Sequence, residues 1–170
     1  MASVFAADWV LPVEGDPIES GAVAVEDGRI VAVGAAKELG EGRRFEDAAI
    51  VPGFVNTHSH LEYAVYAGFG DGLPFGPWLA LHIERKARIG WADSVAIARL
   101  GAAECLASGI TTVGDASYSG AAAPACAELG LRALVYLEVF GEPERGDPPA
   151  LHHDRAVLDR ITFDREHPVR

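Results

Sequence analysis

Apolar and polar residues alternate along "GAVAVEDGRIVAVG" (residues 21–34), in two runs separated by Glu26, Asp27 and Gly28. A period of two sends successive side chains to opposite faces of a strand, and Asp-Gly between two such runs is a hairpin turn. "SVFAADWVLP" (residues 3–12) predicts an earlier strand. Residues 1–49 therefore read as a β-rich segment of three or so short strands, a piece of a sheet rather than a closed domain.

The pattern changes at Ile50. "AIVPGFVNTH" (residues 49–58) is a nearly continuous apolar run, the signature of a short strand covered on both faces. "AVYAGFGDGLPFGPWLALHI" (residues 64–83) is Gly-rich and aromatic, and predicts a long loop leading into a helix near Trp78. "WADSVAIARLGAAECLASG" (residues 91–109) predicts a helix with Asp93 or Ser94 as its cap and Gly109 just past its end. "ITTVGDAS" (residues 110–117) is a strand rich in β-branched residues. "GAAAPACAELG" (residues 120–130) is a short helix with Pro124 near its start and Gly130 at its end, "LRALVYLEVFG" (residues 131–141) a strand, and "PPALHHDRAVLDRI" (residues 148–161) a helix. Strands alternating with helices argue for βαβ units and a parallel sheet. Three such units fall short of a closed (β/α)8 barrel, which takes about 250 residues, so the chain reads as part of something larger.

Composition narrows the function classes. With 49% hydrophobic and 23% charged residues, the 170-residue chain can bury one sizeable core. Its formal net charge of −11 and the lack of a basic stripe make a nucleic-acid partner unexpected. No run of about 18 apolar residues occurs, so no transmembrane helix is expected. The N-terminal "MASVFAADWVLP" has no basic segment and Asp8 interrupts its apolar run, which argues against a signal peptide and for a cytoplasmic location. Cys105 and Cys126 form no C-x-x-C pair and fall in Ala-rich helical text, as buried free thiols do.

Chemistry concentrates in "IVPGFVNTHSH" (residues 50–60). If the strand runs through them, His58 and His60 point to one face, with Thr57 and Ser59 on the other. Both lie at the C-terminal end of their strand, where sites gather in parallel α/β folds. Two imidazoles there can converge on one ion, although an H-x-H pair by itself also occurs by chance.

"VPGFVNTHSHLE" (residues 51–62) resembles the first-strand motif of the amidohydrolase superfamily, and more narrowly its aminohydrolase branch of chlorotriazine hydrolases, adenosylhomocysteine deaminases and aminofutalosine deaminases. "GAVAVEDGRIVAVG" resembles that family's N-terminal strand pair, and "AAECLASGITTVGD" (residues 102–115) its first barrel helix running into the second strand. The resemblance implies an α/β fold. Residues 1–49 would belong to a small β-sandwich domain, and residues 50–170 would form the first three or so β/α units of a metal-dependent TIM barrel. It implies one divalent metal, zinc or iron, with His58 and His60 as two of its ligands. The family's other ligands, a histidine on each of the fifth and sixth strands and an aspartate on the eighth, lie on later strands, as does its glutamate acid/base. His82, His152, His153 and His167 match none of those positions and are expected to be solvated or locally hydrogen-bonded.

The implied activity is hydrolytic deamination of an amino-substituted heterocycle or adenine nucleoside. Hydrolysis of a cyclic amide, with a carboxylated lysine on the fourth strand, is the alternative within the superfamily. A non-catalytic truncated product or interaction module is the alternative of another class. The substrate is a small molecule, a homodimer is usual for the family, and two histidines alone do not make a catalytic site. The rest of the barrel, from further sequence or a second chain, is therefore an expected partner. Five other residues are candidates for substrate contact. Glu62 either orients ligand or substrate or is a surface carboxylate. Phe69 and Trp78, with Phe75, either wall a pocket or pack a long loop. Asp115 and Glu138 end their strands and either contact ligand or bridge to neighbours.

Overall fold

The structure, a computed structural model, describes residues 2–138. The helix expected over residues 148–161 lies outside the described residues. The chain divides into two compact units, one ending at Gly53 and the other beginning at Phe54.

The first unit is a four-stranded sheet of β1 (Ser3–Val10), β2 (Ile18–Glu26), β3 (Arg29–Ala35) and β4 (Arg43–Ile50), with a short helix α1 (Ala36–Leu39). The sheet order is β3-β2-β1-β4. The β2–β3 hairpin turns where expected, with Asp27 and Gly28 both at positive φ (50° and 71°), the backbone that a tight two-residue turn requires. Ala6, Ala22 and Ala36 form a small core, flanked by Val4 and Leu39.

β4 corrects the sequence reading. It joins the edge of β1 in parallel, pairing Val10 with Ile50, yet its sequence "RRFEDAAI" shows no alternation. Nearly all of it is exposed, so no buried face imprints a pattern on it. The boundary after residue 49 therefore falls inside β4. The apolar run over residues 49–58 is the end of one strand and the start of another, separated by Val51, Pro52 and Gly53. Pro52 has no N–H for a ladder.

The second unit carries a parallel sheet in the order β5-β6-β7: β5 (Phe54–Ser59), β6 (Ile110–Ser117) and β7 (Arg132–Leu137). A 3-10 helix (Leu61–Tyr66), α2 (Phe75–Lys86) and α3 (Trp91–Ala107) connect β5 to β6, and α4 (Ala122–Leu129) connects β6 to β7. Helix starts differ from expectation. α2 begins at Phe75, where Pro74 supplies the carbonyl that accepts the Trp78 amide at 3.0 Å. Gly90, not Asp93 or Ser94, occupies the N-cap of α3. Asp93 instead sits in the first turn, where a carboxylate complements the helix dipole. The helix ends agree with expectation, with Gly109 at φ 84° and Gly130 at φ 71° just past α3 and α4.

Small residues dominate the core of this unit. Ala98, Ala102, Ala121, Ala122, Ala125 and Cys126 pack with Leu61, Val113, Leu131 and Ala133. Cys105 and Cys126 are free thiols, and burial pushes the Cys126 thiol up to about 12. The small core brings backbones close together. A Cβ on Gly101 would stand 2.8 Å from the Leu61 carbonyl oxygen, and one on Gly114 would stand 2.8 Å from the Thr57 carbonyl oxygen. The segment from Thr57 to Leu61, which contains both histidines of the pair, is thus seated between α3 and β6. The double-sided cover expected of the first barrel strand is not found among the described residues, where Phe54 and Val55 of β5 are exposed. Leu134 and Tyr136 of β7 are exposed as well. No helix of the described residues is long and apolar enough to cross a membrane.

Gly114→Ala is expected to destabilise the protein by about 1–3 kcal/mol, because the methyl group meets backbone rather than a side chain that can swing away. Urea unfolding read by circular dichroism checks this. A midpoint equal to wild type would mean that β5 and β6 do not approach this closely.

Candidate metal centre

β5 does not run straight into its histidine pair. Asn56 pairs with Val113 and Ser59 with Asp115, so the stretch between holds one more residue on β5 than on β6. This is a β-bulge, which re-aims side chains at a strand end. The Asn56 side chain compensates for the broken ladder by accepting the His58 amide at 3.2 Å. The strand ends at Ser59, and His60 begins the 3-10 turn. The rings of His58 and His60 nevertheless lie together, with centroids 5.0 Å apart and planes at 87°.

Each residue around His60 is tied to the end of β6. The His60 Nδ1 lies 2.7 Å from the Ala116 carbonyl oxygen. A carbonyl can only accept, so the Nδ1 carries the proton and the Nε2 lone pair is left for a ligand bond. Asp115 Oδ1 accepts the Ser59 hydroxyl at 2.9 Å and the Leu61 amide at 2.7 Å. Asp115 is fully buried, its Oδ2 has no hydrogen-bond partner, and burial raises its carboxyl above the usual range against the pull of those two donors.

Glu62 is not a surface carboxylate. It is buried and accepts the Ser117 hydroxyl and the amides of Ser119 and Ala121, at 3.2 Å each to the nearer oxygen. These donors form the turn that leads into α4, so the charge sits where the helix dipole favours it. Phe69 and Trp78 gather on His82 rather than on the histidine pair, with ring centroids 5.5 and 4.0 Å from its ring. His82 is buried, and its Nε2 lies 3.3 Å from the Phe69 carbonyl oxygen, so it is locally hydrogen-bonded and not solvated. Phe75 stacks on Trp78 but is largely exposed. Glu138 follows β7 with its amide on the Ser117 carbonyl at 3.0 Å.

Sequence reading passed over two residues beside the pair. Tyr63 stacks on His60, centroids 5.1 Å apart at 19°. Lys86 reaches from α2 to donate to the Tyr63 hydroxyl at 2.9 Å. Burial, with the charges of Glu138 and Glu62, pushes the Tyr63 phenol up to about 12. Burial lowers Lys86, opposed by Glu138 and others. The three-residue spacing of His60 and Tyr63 within a 3-10 turn was a usable signal, because such residues eclipse. Nothing local announces Lys86.

The ring separation of 5.0 Å is compatible with two ligands of one ion. Two imidazoles bound through nitrogens about 2.1 Å from a tetrahedral metal bring their ring centres about 5 Å apart. Among the described residues no group of three or more His, Cys, Asp or Glu side chains is placed to hold a metal. No third side chain of these types joins His58 and His60 among the described residues.

Parallel β/α units with an H-x-H pair at the C-terminal end of the first strand define the class. Residues 49–161 match the amidohydrolase family, and residues 21–41 match the imidazolonepropionase-like composite domain of bacteria. The chain belongs to the amidohydrolase family. It is 37% identical over 139 residues to a 5-methylthioadenosine/S-adenosylhomocysteine deaminase of Thermodesulfovibrio yellowstonii, a match covering 74% of this chain and 31% of the relative. It is 36% identical over 123 residues to a 5'-deoxyadenosine deaminase of Methanothermobacter thermautotrophicus, covering 69% and 29%. The chain thus spans about a third of the length of these relatives. Among solved structures it is similar to Helicobacter pylori aminofutalosine deaminase in complex with methylthio-coformycin (TM-score 0.70, 23% identity, 92% of this chain and 39% of that one). It is also similar to atrazine chlorohydrolase from Arthrobacter aurescens complexed with zinc (TM-score 0.72, 19% identity, 92% and 42%). At such identities the structural likeness concerns the fold.

Glu62→Gln is expected to cost about 1.5–3 kcal/mol, since it turns a charged acceptor of buried donors into a neutral one. Glu84→Gln, which removes one half of an exposed pair with Arg88, is expected to change stability by less than about 0.5 kcal/mol. Denaturant midpoints for the two variants check the contrast, and equal midpoints would place Glu62 at the surface.

Proposed function

We propose that these residues are the N-terminal part of a metal-dependent aminohydrolase that removes an amino group from a heterocycle or adenine nucleoside by hydrolysis. The single observation that carries this reading is the pairing of His58 with a His60 whose Nδ1 proton is held by the Ala116 carbonyl. The identity to deaminases of adenosine derivatives supports the reaction class. The similar chlorohydrolase complexed with zinc supports a divalent ion.

In this reading β5–β7 are the first strands of a TIM barrel, and the sheet of residues 3–50 belongs to a β-sandwich domain. Further strands cover the exposed side chains of β5 and β7 and supply the remaining ligands and the acid/base. A bound divalent ion lowers the pKa of a water to about 7 and so makes a nucleophile available at neutral pH. His58 and His60 would hold that ion, and the Ala116 carbonyl would keep the His60 proton on Nδ1. Of the five candidates for substrate contact, Glu138 is the one favoured here: it is half-buried just past the end of β7, and its charge raises the Tyr63 phenol. The contacts of Asp115 and Glu62 favour bracing over substrate contact, and those of Phe69 and Trp78 favour packing around His82.

The test is metal content by mass spectrometry together with ammonia release from 5'-methylthioadenosine, 5'-deoxyadenosine and aminofutalosine, using the complete protein. Changing His58 or His60 to alanine is expected to lower metal affinity by more than about 10-fold and to remove activity with it. Full metal content in a His58→Ala/His60→Ala double variant, or a metal-loaded protein that releases no ammonia from any amino-substituted ring, would sink the proposal.

A further inference from the structure

We propose that Tyr63 and Lys86 are positioning residues that clamp the His60 imidazole in its ligand-donating orientation. The inference rests on the reading of His60 as a metal ligand and goes beyond it by naming what holds the ring.

An imidazole with one hydrogen bond can still tilt about that bond. The Ala116 carbonyl, 2.7 Å from Nδ1, sets which nitrogen carries the proton and roughly where the ring edge lies. It does not set the plane. Tyr63 does, by lying nearly parallel to the ring at 5.1 Å. The Tyr63 amide also donates to the His60 carbonyl at 2.9 Å, which closes the turn that brings the two rings over each other.

A stacked phenol restrains its neighbour only if it is itself held. The Lys86 ammonium donates to the Tyr63 hydroxyl at 2.9 Å and lies 3.7 Å from the centroid of the Tyr118 ring. Tyr118 follows Ser117, the last residue of β6, and stands two residues beyond Ala116. The contacts therefore form a closed circuit: His60 to Tyr63, Tyr63 to Lys86, Lys86 to Tyr118, and back along the chain to Ala116 and His60. Lys86 enters this circuit from the last turn of α2, so a residue distant in sequence ties together the two segments that flank the His60 ring. Half burial strengthens the ammonium's interactions with the phenol and the ring face relative to water.

The test uses the complete protein with two readouts, the ring 15N spectrum of His60 without metal and zinc affinity by competition with a chelator. Wild type is expected to show one His60 tautomer with the proton on Nδ1. Tyr63→Ala frees the ring to swing its Nδ1 edge off the Ala116 carbonyl, so it is expected to average the two tautomers and to weaken zinc binding about 10-fold or more, the size of effect seen when a ligand's supporting partner is lost. Tyr63→Phe keeps the stack and loses the hydroxyl, so a smaller loss is expected; Lys86→Met, which also gives up the Tyr118 contact, is expected to lose at least as much as Tyr63→Phe. The Tyr63→Phe/Lys86→Met double variant is expected to lose no more than Lys86→Met alone, because the bond that Tyr63→Phe removes is already gone there. An unchanged tautomer and affinity in Tyr63→Ala, or additive losses in the double variant, would overturn the clamp. If Tyr63→Ala does not fold, the Phe and Met variants decide alone by the same criteria. A wild type that shows the single tautomer and its loss in the variants but binds no zinc would support the clamp and refute the metal reading.

Discussion

The Asp115 carboxylate lies beneath the turn that carries the histidine pair, and one of its oxygens takes both the Ser59 hydroxyl and the Leu61 amide. The residue between those two donors is His60. With the Ala116 carbonyl on the His60 ring, Ser59, at the end of β5, and the next two residues are anchored to two consecutive residues of β6. Without Asp115 the Leu61 amide would be left buried and unpaired, at a cost of about 1–3 kcal/mol. The arrangement has its own cost, since a fully buried carboxyl with one oxygen unpartnered is unfavourable. Polar groups placed at a loss in a core of alanines fit a position kept for its geometry.

Backbone proximity makes this stitching possible. Gly101 and Gly114 leave room for the Leu61 and Thr57 carbonyls from two sides, and the alanines around them keep α3 and α4 close to the sheet. Glu62 then extends the same seam, gathering the amides that lead into α4. The path from sequence to site is therefore short. Small side chains let backbones approach, approach brings donors to two buried carboxylates, and those carboxylates hold the turn on which the histidines sit.

Residues whose partners are near in sequence were legible. The Asp27-Gly28 hairpin, the β6 strand and the glycine ends of α3 and α4 follow from local conformational preference and from periodicity. β4 was not legible, because an exposed edge strand has no buried face to pattern its sequence. The bulge between Asn56 and Ser59 was not legible either, since it exists only relative to β6. Glu62 and Asp115 could be picked out as carboxylates near a site. Their burial and their donors depend on chain more than 50 residues away. Phe69 and Trp78 failed for another reason: their neighbour, the buried His82, is close in sequence, but aromatic character alone does not separate packing around a buried ring from a pocket wall.

The sequence by itself determined the alternation of strands and helices from β5 to β7, the pairing of β2 with β3, and the presence of two imidazoles at a strand end. Each of these depends on side-chain type and spacing along a few residues. Only the tertiary structure decided which His60 nitrogen carries the proton, which carboxylates brace the turn and which residue steadies the ring. Those outcomes depend on hydrogen bonds and ring contacts of a few ångströms between segments that fold onto one another, and no local pattern encodes such distances.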